Sequence, residues 1–148
     1  MKKKIWISLA LVLGLVITGF AATAEAGNTV DTTYYFKFMM DGSSMVTPSR
    51  PKYDATSAYM KFNWIDDGAG TYKVKVTKPS GADFSRVWWS GYCYDYTVGT
   101  EHWIPNYAYE DGGYGVQVSL KGEGGGGVVG GGWWSTGGLW SPDSVGGP

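Results

Sequence analysis

An alternation of apolar and polar side chains with a period of two runs through this chain and constrains its fold more than any other feature. From Thr32 to Met40, the side chains of Tyr34, Phe36, Phe38 and Met40 fall on one side and those of Thr33, Tyr35, Lys37 and Met39 on the other. Ser57 to Ile65 repeats the pattern, with Ala58, Met60, Phe62 and Trp64 opposite Ser57, Tyr59, Lys61 and Asn63. Thr71 to Lys78 sets Tyr72, Val74 and Val76 against Lys73 and Lys75. Successive side chains of a strand point to opposite faces, so this spacing belongs to half-buried β-strands.

The breaks between these runs are turn-formers. Asp66-Asp67-Gly68-Ala69-Gly70 separates the second run from the third, and the two are expected to form a hairpin. Pro48-Ser49-Arg50-Pro51 is expected in a loop or an edge strand, since each proline lacks a ladder donor. Phe84 to Trp89, Tyr92 to Val98 and Tyr114 to Leu120 read as further short strands. Six or seven short strands with turns about every 8 to 12 residues predict an all-β fold, an antiparallel two-sheet sandwich. Its core face is expected to hold Phe36, Phe38, Met60, Phe62, Trp64, Val74, Val76 and Leu120.

Between Gly112 and Gly138, 13 of 27 residues are glycine. Such a run is entropically costly to order. Val128, Val129, Trp133, Trp134, Leu139 and Trp140 are nevertheless embedded in it or follow it closely. The reading is a Gly-rich loop at 122–132, followed by a last strand near Trp133 to Trp140 that docks through its apolar side chains.

Residues 1–26 read as a cleaved signal peptide. Lys2 to Lys4 are basic, Ile5 to Phe20 are uncharged and apolar, and Ala24-Glu25-Ala26 is a small-x-small site, with cleavage expected before Gly27. The expectation is a secreted, extracellular product with no transmembrane anchor after cleavage, a single domain over residues 27–148. That mature part carries nine basic and twelve acidic side chains, a net charge of −3, which argues against nucleic acid as a partner. Its 22 aromatic residues argue against disorder throughout. Cys93 is the single cysteine, so no internal disulfide can form, and it reads as a small buried hydrophobe.

Residues suited to catalysis are few. His102 is the single histidine, with no cysteine beside it to begin a metal site, and it reads as a surface or loop residue. No GxSxG signature accompanies it. Asp66-Asp67 and Glu110-Asp111 read as turn residues, since neither lies in a calcium-loop pattern. The expectation is no enzymatic activity, no metal and no cofactor.

The aromatic pairs are more informative. Val87-Trp88-Trp89-Ser90-Gly91-Tyr92 is echoed by Gly132-Trp133-Trp134-Ser135-Thr136-Gly137. Adjacent Trp residues of a strand face opposite ways, so one of each pair can fill the core while the other meets solvent or a ligand. Trp88, Trp89, Tyr92, Trp133, Trp134 and Trp140 are the candidate binding residues.

Several motifs carry a resemblance. They are Arg50-x-Lys52 with Thr56, Tyr59 and Lys61, then Ile104-Pro105-Asn106-Tyr107-Ala108-Tyr109-Glu110-Asp111-Gly112, then Val118-Ser119-Leu120, and finally Gly138-Leu139-Trp140-Ser141-Pro142-Asp143-Ser144. The chain resembles a family of small secreted proteins of Gram-positive bacteria, mostly Firmicutes, that end in Gly-x-Trp-Ser-Pro-Asp and have no established activity. That group is distantly similar to lactococcin-type β-sandwich bacteriocins, which implies an antiparallel sandwich and a cell-wall target. In the terminal motif Trp140 supplies apolar area, Pro142 stops the strand, and Asp143 is expected to accept a backbone N–H in an Asx-type turn. The functional expectation is a secreted protein that binds a cell-wall glycan or another cell-surface component, in a bacteriocin-like manner. The alternatives are a carbohydrate-binding module and a self-associating matrix protein.

Overall fold

The computed structural model describes residues 27–39, 43–66, 71–92, 98–125 and 132–145. The leader, Cys93, most of the Asp66–Gly70 turn, the Tyr92 side chain and the glycines between 126 and 131 lie outside the described residues.

The alternating runs are strands, arranged in two antiparallel sheets. In chain order the strands are β1 (Thr32–Met39), β2 (Ser44–Val46), β3 (Arg50–Lys52), β4 (Ala58–Ile65), β5 (Tyr72–Thr77), β6 (Ser90–Tyr92), β7 (Glu101–Ile104), β8 (Val116–Gly124) and β9 (Trp133–Ser141). A single helical turn, α1 (Ala108–Gly112), precedes β8. The first sheet has the order β1-β9-β4-β7. The second has the order β2-β8-β5-β6, with β3 also paired to β8. Pro51 thus lies in a three-residue strand paired only with β8, where its missing donor does no harm.

The two sheets face each other across one core. Tyr34, Phe36, Phe38, Met60, Ile104, Trp134 and Trp140 of the first sheet meet Tyr72, Val74, Val76, Val118 and Leu120 of the second. Phe36 and Phe38 reach the Tyr72 ring at centroid distances of 6.3 and 5.8 Å.

Three expectations about the strands are corrected. First, β4 and β5 do not form a hairpin: β4 pairs with β7 and β9, whereas β5 pairs with β6 and β8. Placing them in opposite sheets lets the apolar face of one look across the core at the apolar face of the other. Second, Phe84 to Trp89 is not a strand, and pairing begins only at Ser90. Third, Trp64 is not a core residue. A register shift between Phe62 and Trp64 sets Phe62 opposite Gly138 and Trp64 opposite Gly137. The extra residue reverses the alternation, as a β-bulge does, so Trp64 turns outward and Ile65 packs against the core.

The glycine-rich segment does two different jobs. Its first part belongs to β8, so the loop begins later than residue 122. A Cβ on Gly122 would lie 2.9 Å from Phe38 Cζ and 3.0 Å from Phe36, and one on Gly124 would lie 2.8 Å from the Phe38 ring. These glycines let the rings of β1 settle onto the backbone of the opposite sheet. In β9, a Cβ on Gly137 would lie 2.8 Å from the Trp64 indole nitrogen, so the outward-turned ring rests directly on that backbone.

The terminal motif closes one end of the sandwich. Lys52 and Asp143 form a fully buried ion pair at 2.9 Å. Lys52 Nζ also donates to the Thr56 and Pro142 carbonyls at 2.5 and 2.8 Å, which uses all three of its donors. Asp143 accepts backbone N–H groups from Asn28 at 2.5 Å and Tyr53 at 3.0 Å. The expected local Asx turn is therefore replaced by contacts with distant segments. Arg50 donates to the Trp140 carbonyl at 3.0 Å and to Asn28 Oδ1 at 2.8 Å, with its guanidinium 5.5 Å from the Trp140 ring centroid. Arg50, Lys52 and Thr56 thus converge on Trp140-Ser141-Pro142-Asp143.

Candidate binding surface

The outer face of the first sheet is built by the residues that alternate with the core. On β1 these are Thr33, Tyr35, Lys37 and Met39, and on β9 Trp133, Ser135, Gly137 and Leu139, paired in register from Thr33↔Leu139 to Met39↔Trp133. β4 adds Tyr59, Lys61 and, through the bulge, Trp64, while β7 adds Glu101 and Trp103. Trp133 is 59% exposed, Tyr35 52%, and Trp64 39%. These rings stand on the outer face of the β1-β9-β4-β7 sheet.

The platform is ordered by specific contacts. Tyr35 and Trp64 flank Gly137 with ring centroids 5.9 Å apart, and Tyr35 donates its hydroxyl to Ser135 Oγ at 3.1 Å. Lys37 Nζ lies 5.0 Å from the Trp133 ring centroid, a cation–π distance. Four residues of strand separate Trp133 from the Gly137 level, about 13 Å. At the far side Tyr59 donates to Glu101 Oε1 at 3.1 Å and packs edge-on against Trp103 at 6.1 Å. Burial, reinforced by the bond to Glu101 and its negative charge, pushes the Tyr59 hydroxyl pKa up to about 12. The surface thus interleaves flat apolar rings with hydroxyl, ammonium and carboxylate groups.

The six residues expected to bind fall in different places. Trp133 stands on this platform. Its neighbour Trp134 is 1% exposed and lies in the core, with its ring 4.8 Å from that of Phe38. Trp140 is likewise buried beneath Arg50. Neither offers a ring to a ligand, because the inward face of β9 is where the sandwich needs volume. Trp89 lies under two ammonium groups, Lys73 and Lys75 at 4.2 and 4.0 Å, and covers the outer face of β5. Trp88 stacks on Tyr107 at 4.9 Å and lines an open cleft of about 530 Å³ with Thr56, Pro105, Asn106 and Glu110. The structure therefore separates Trp88 from Trp133 rather than gathering the pairs into one site.

Tyr35 and Trp64 are the platform residues that sequence reasoning did not select. Tyr35 was legible as the outward position of the first run. Trp64 was not, because the bulge that exposes it has no local signature.

His102 sits on β7 in register with Met60 and is half-buried. Burial lowers its pKa, and its Nε2 lies 3.3 Å from Thr100 Oγ1. Glu110 and Asp111 belong to α1, where Asp111 accepts the Ser85 backbone N–H at 2.5 Å and the Ser85 hydroxyl at 2.7 Å. Those two bonds hold the Asp111 carboxyl below its usual range. Asp111 thus pins the segment that leads to Trp88 and Trp89.

Among the described residues, no helix is long and apolar enough to cross a membrane. No curated protein and no solved structure matches the chain. A family profile matches it from residue 20 to residue 144, almost the whole of the folded part and the terminal motif together. The chain belongs to the DUF2712 family of proteins of unknown function.

Proposed function

We propose that this is a secreted, non-enzymatic protein that binds a glycan of the bacterial cell envelope through the outer face of the β1-β9-β4-β7 sheet. The observation that carries this reading is the set of exposed rings, Tyr35, Trp64 and Trp133, on one face of a single sheet. Each ring leaves more than a third of its surface open to solvent, and aromatic rings are enriched among residues that carry binding energy. A sugar chain has apolar C–H faces for such rings and hydroxyls for the Lys37, Lys61 and Glu101 side chains on the same face. The leader supports export, and the terminal motif with its resemblance supports a Gram-positive envelope.

The first strand counts against edge-to-edge assembly as the primary role. Its backbone N–H groups at Lys37 and Met39 donate to Met45 Sδ at 2.9 Å and Ser43 Oγ at 2.6 Å. A partner strand would find those donors taken, which blunts the edge as a template.

The test is retention of the processed protein on purified peptidoglycan. Retention that drops at least tenfold in Trp133→Ala, with an unchanged unfolding midpoint, is the expected result. No retention, with ordered self-assembly instead, would replace the reading by the matrix protein. Growth inhibition of Gram-positive cells would extend it to the bacteriocin-like action that the resemblance implies.

A further inference from the structure

Gly27 is the residue that removal of the leader would turn into the amino terminus, and it is packed against the Lys52–Asp143 pair. A Cβ at this position would overlap Asp54 Oδ2 and lie 2.9 Å from Asp143 Cβ. The following residue is held on three sides. Asn28 donates its backbone N–H to Asp143 Oδ2 at 2.5 Å and its side-chain amide to the Pro51 carbonyl at 2.8 Å, and its Oδ1 accepts from Arg50 at 2.8 Å. The Gly27 nitrogen is bonded to the same Cα as that blocked Cβ position, so it lies at most about 5 Å from Asp54 Oδ2.

Asp54 lacks the partner that Asp143 has. Its Oδ1 accepts the Thr56 backbone N–H at 2.8 Å and the Thr56 hydroxyl at 2.5 Å. Among the described residues no lysine or arginine forms an ion pair with Asp54, and its Oδ2 is the atom that faces Gly27. Two carboxylates therefore share this end of the sandwich with one ion-paired ammonium, Lys52, while the Arg50 guanidinium is engaged by Asn28, Thr32 and the Trp140 carbonyl.

We propose that cleavage before Gly27 creates an α-ammonium that ion-pairs with Asp54, so that processing itself completes the polar lock around Lys52 and Asp143. This rests on the leader assignment made in the proposed function. In the unprocessed chain the same nitrogen is a neutral amide with at most one donor. Cleavage gives it a positive charge and three donors at a partly buried carboxylate, where charge-assisted hydrogen bonds are strongest. Glycine is the residue that permits this approach, since any side chain would displace the terminus from Asp54.

The nine strands of the described residues and the lock lie within residues 27–145, so the processed chain carries the described fold. The experiment compares thermal unfolding of the chain beginning at Gly27 with a free amine and with that amine acetylated. The free-amine form is expected to melt about 3–6 °C higher. The gap should close in Asp54→Asn, which removes the acceptor charge, and in Gly27→Ala, which moves the amine and leaves Asp54 in place. Equal melting of the two forms, or a gap that persists undiminished in both variants, overturns the proposal. The intact mass of the secreted product tests the leader assignment separately: a start at another residue refutes that assignment, while the acetylation comparison still decides the ion pair.

Discussion

Lys52 and Asp143, 91 positions apart in the chain, form a 2.9 Å ion pair with both side chains fully buried, and the ammonium's remaining donors go to the Thr56 and Pro142 carbonyls. Two charges removed from water persist only where every donor and acceptor is met. Here Asn28 and Tyr53 meet the carboxylate, so the N-terminal segment, the β3 end and the C-terminal motif are tied at one point.

Breaking the pair from one side is expected to be severe. Lys52→Met leaves a buried, uncompensated carboxylate and should cost about 3–5 kcal/mol. The double replacement Lys52→Met with Asp143→Leu should recover part of that loss, though not all, because the Asn28 and Tyr53 N–H groups lose their acceptor. Urea unfolding of the two variants beside the parent chain measures both.

Glycines under aromatic rings should tolerate no side chain. Gly122→Ala places a methyl 2.9–3.0 Å from Phe38 and Phe36, and Gly137→Ala places one 2.8 Å from Trp64. Each is expected to lower stability by about 1–3 kcal/mol through overpacking. The Gly122 change should perturb the core, whereas the Gly137 change should lift Trp64 from the surface and alter its fluorescence.

The two members of the Trp133-Trp134 pair should behave oppositely. Trp134→Ala is expected to cost about 3–5 kcal/mol, as truncation of a large buried ring does. Trp133→Ala should change stability by no more than about 0.5 kcal/mol. Glycan retention should follow the reverse order, with Trp133→Ala losing retention at full stability.

Stability should fall with acid in two stages. Burial depresses the His102 pKa, so the fold prefers neutral imidazole. That contribution is complete above the ordinary value of about 6.5 and is lost as pH falls below it toward the folded value. For Asp143, burial pushes the carboxyl up, but bonds from Lys52, Tyr53 and Asn28 and the Lys52 charge outweigh it and leave the pKa lowered. Its contribution is present above the ordinary carboxylate value of about 3.9 and is lost as pH falls through the folded value. Urea midpoints measured from about pH 8 down to pH 3 should show both declines, and His102→Gln should remove the first.

Local pattern was enough to place β1, β4 and β5 and the inward positions Phe36, Phe38, Met60, Phe62, Val74, Val76 and Leu120, all of which are buried. Period-two spacing is a property of one strand, and burial of one face follows from it directly. The same reasoning exposed Tyr35 and Lys37, and it anticipated that adjacent Trp residues in β9 would part to opposite faces.

Which sheet each strand joins was beyond that reach, because pairing partners compete across the whole chain. The turn between β4 and β5 suited a hairpin, yet burying both apolar faces against each other put the strands in opposite sheets. Trp64 looked like a core position until the bulge shifted its register and set its ring against Gly137, on a strand some 70 residues later in the chain. Period and composition determined the class of fold and the faces of its strands. Only the tertiary structure decided that Lys52 would meet Asp143 and that Trp64 would join Trp133 on the outer face, since burial energy and charge pairing are settled between segments and not within them.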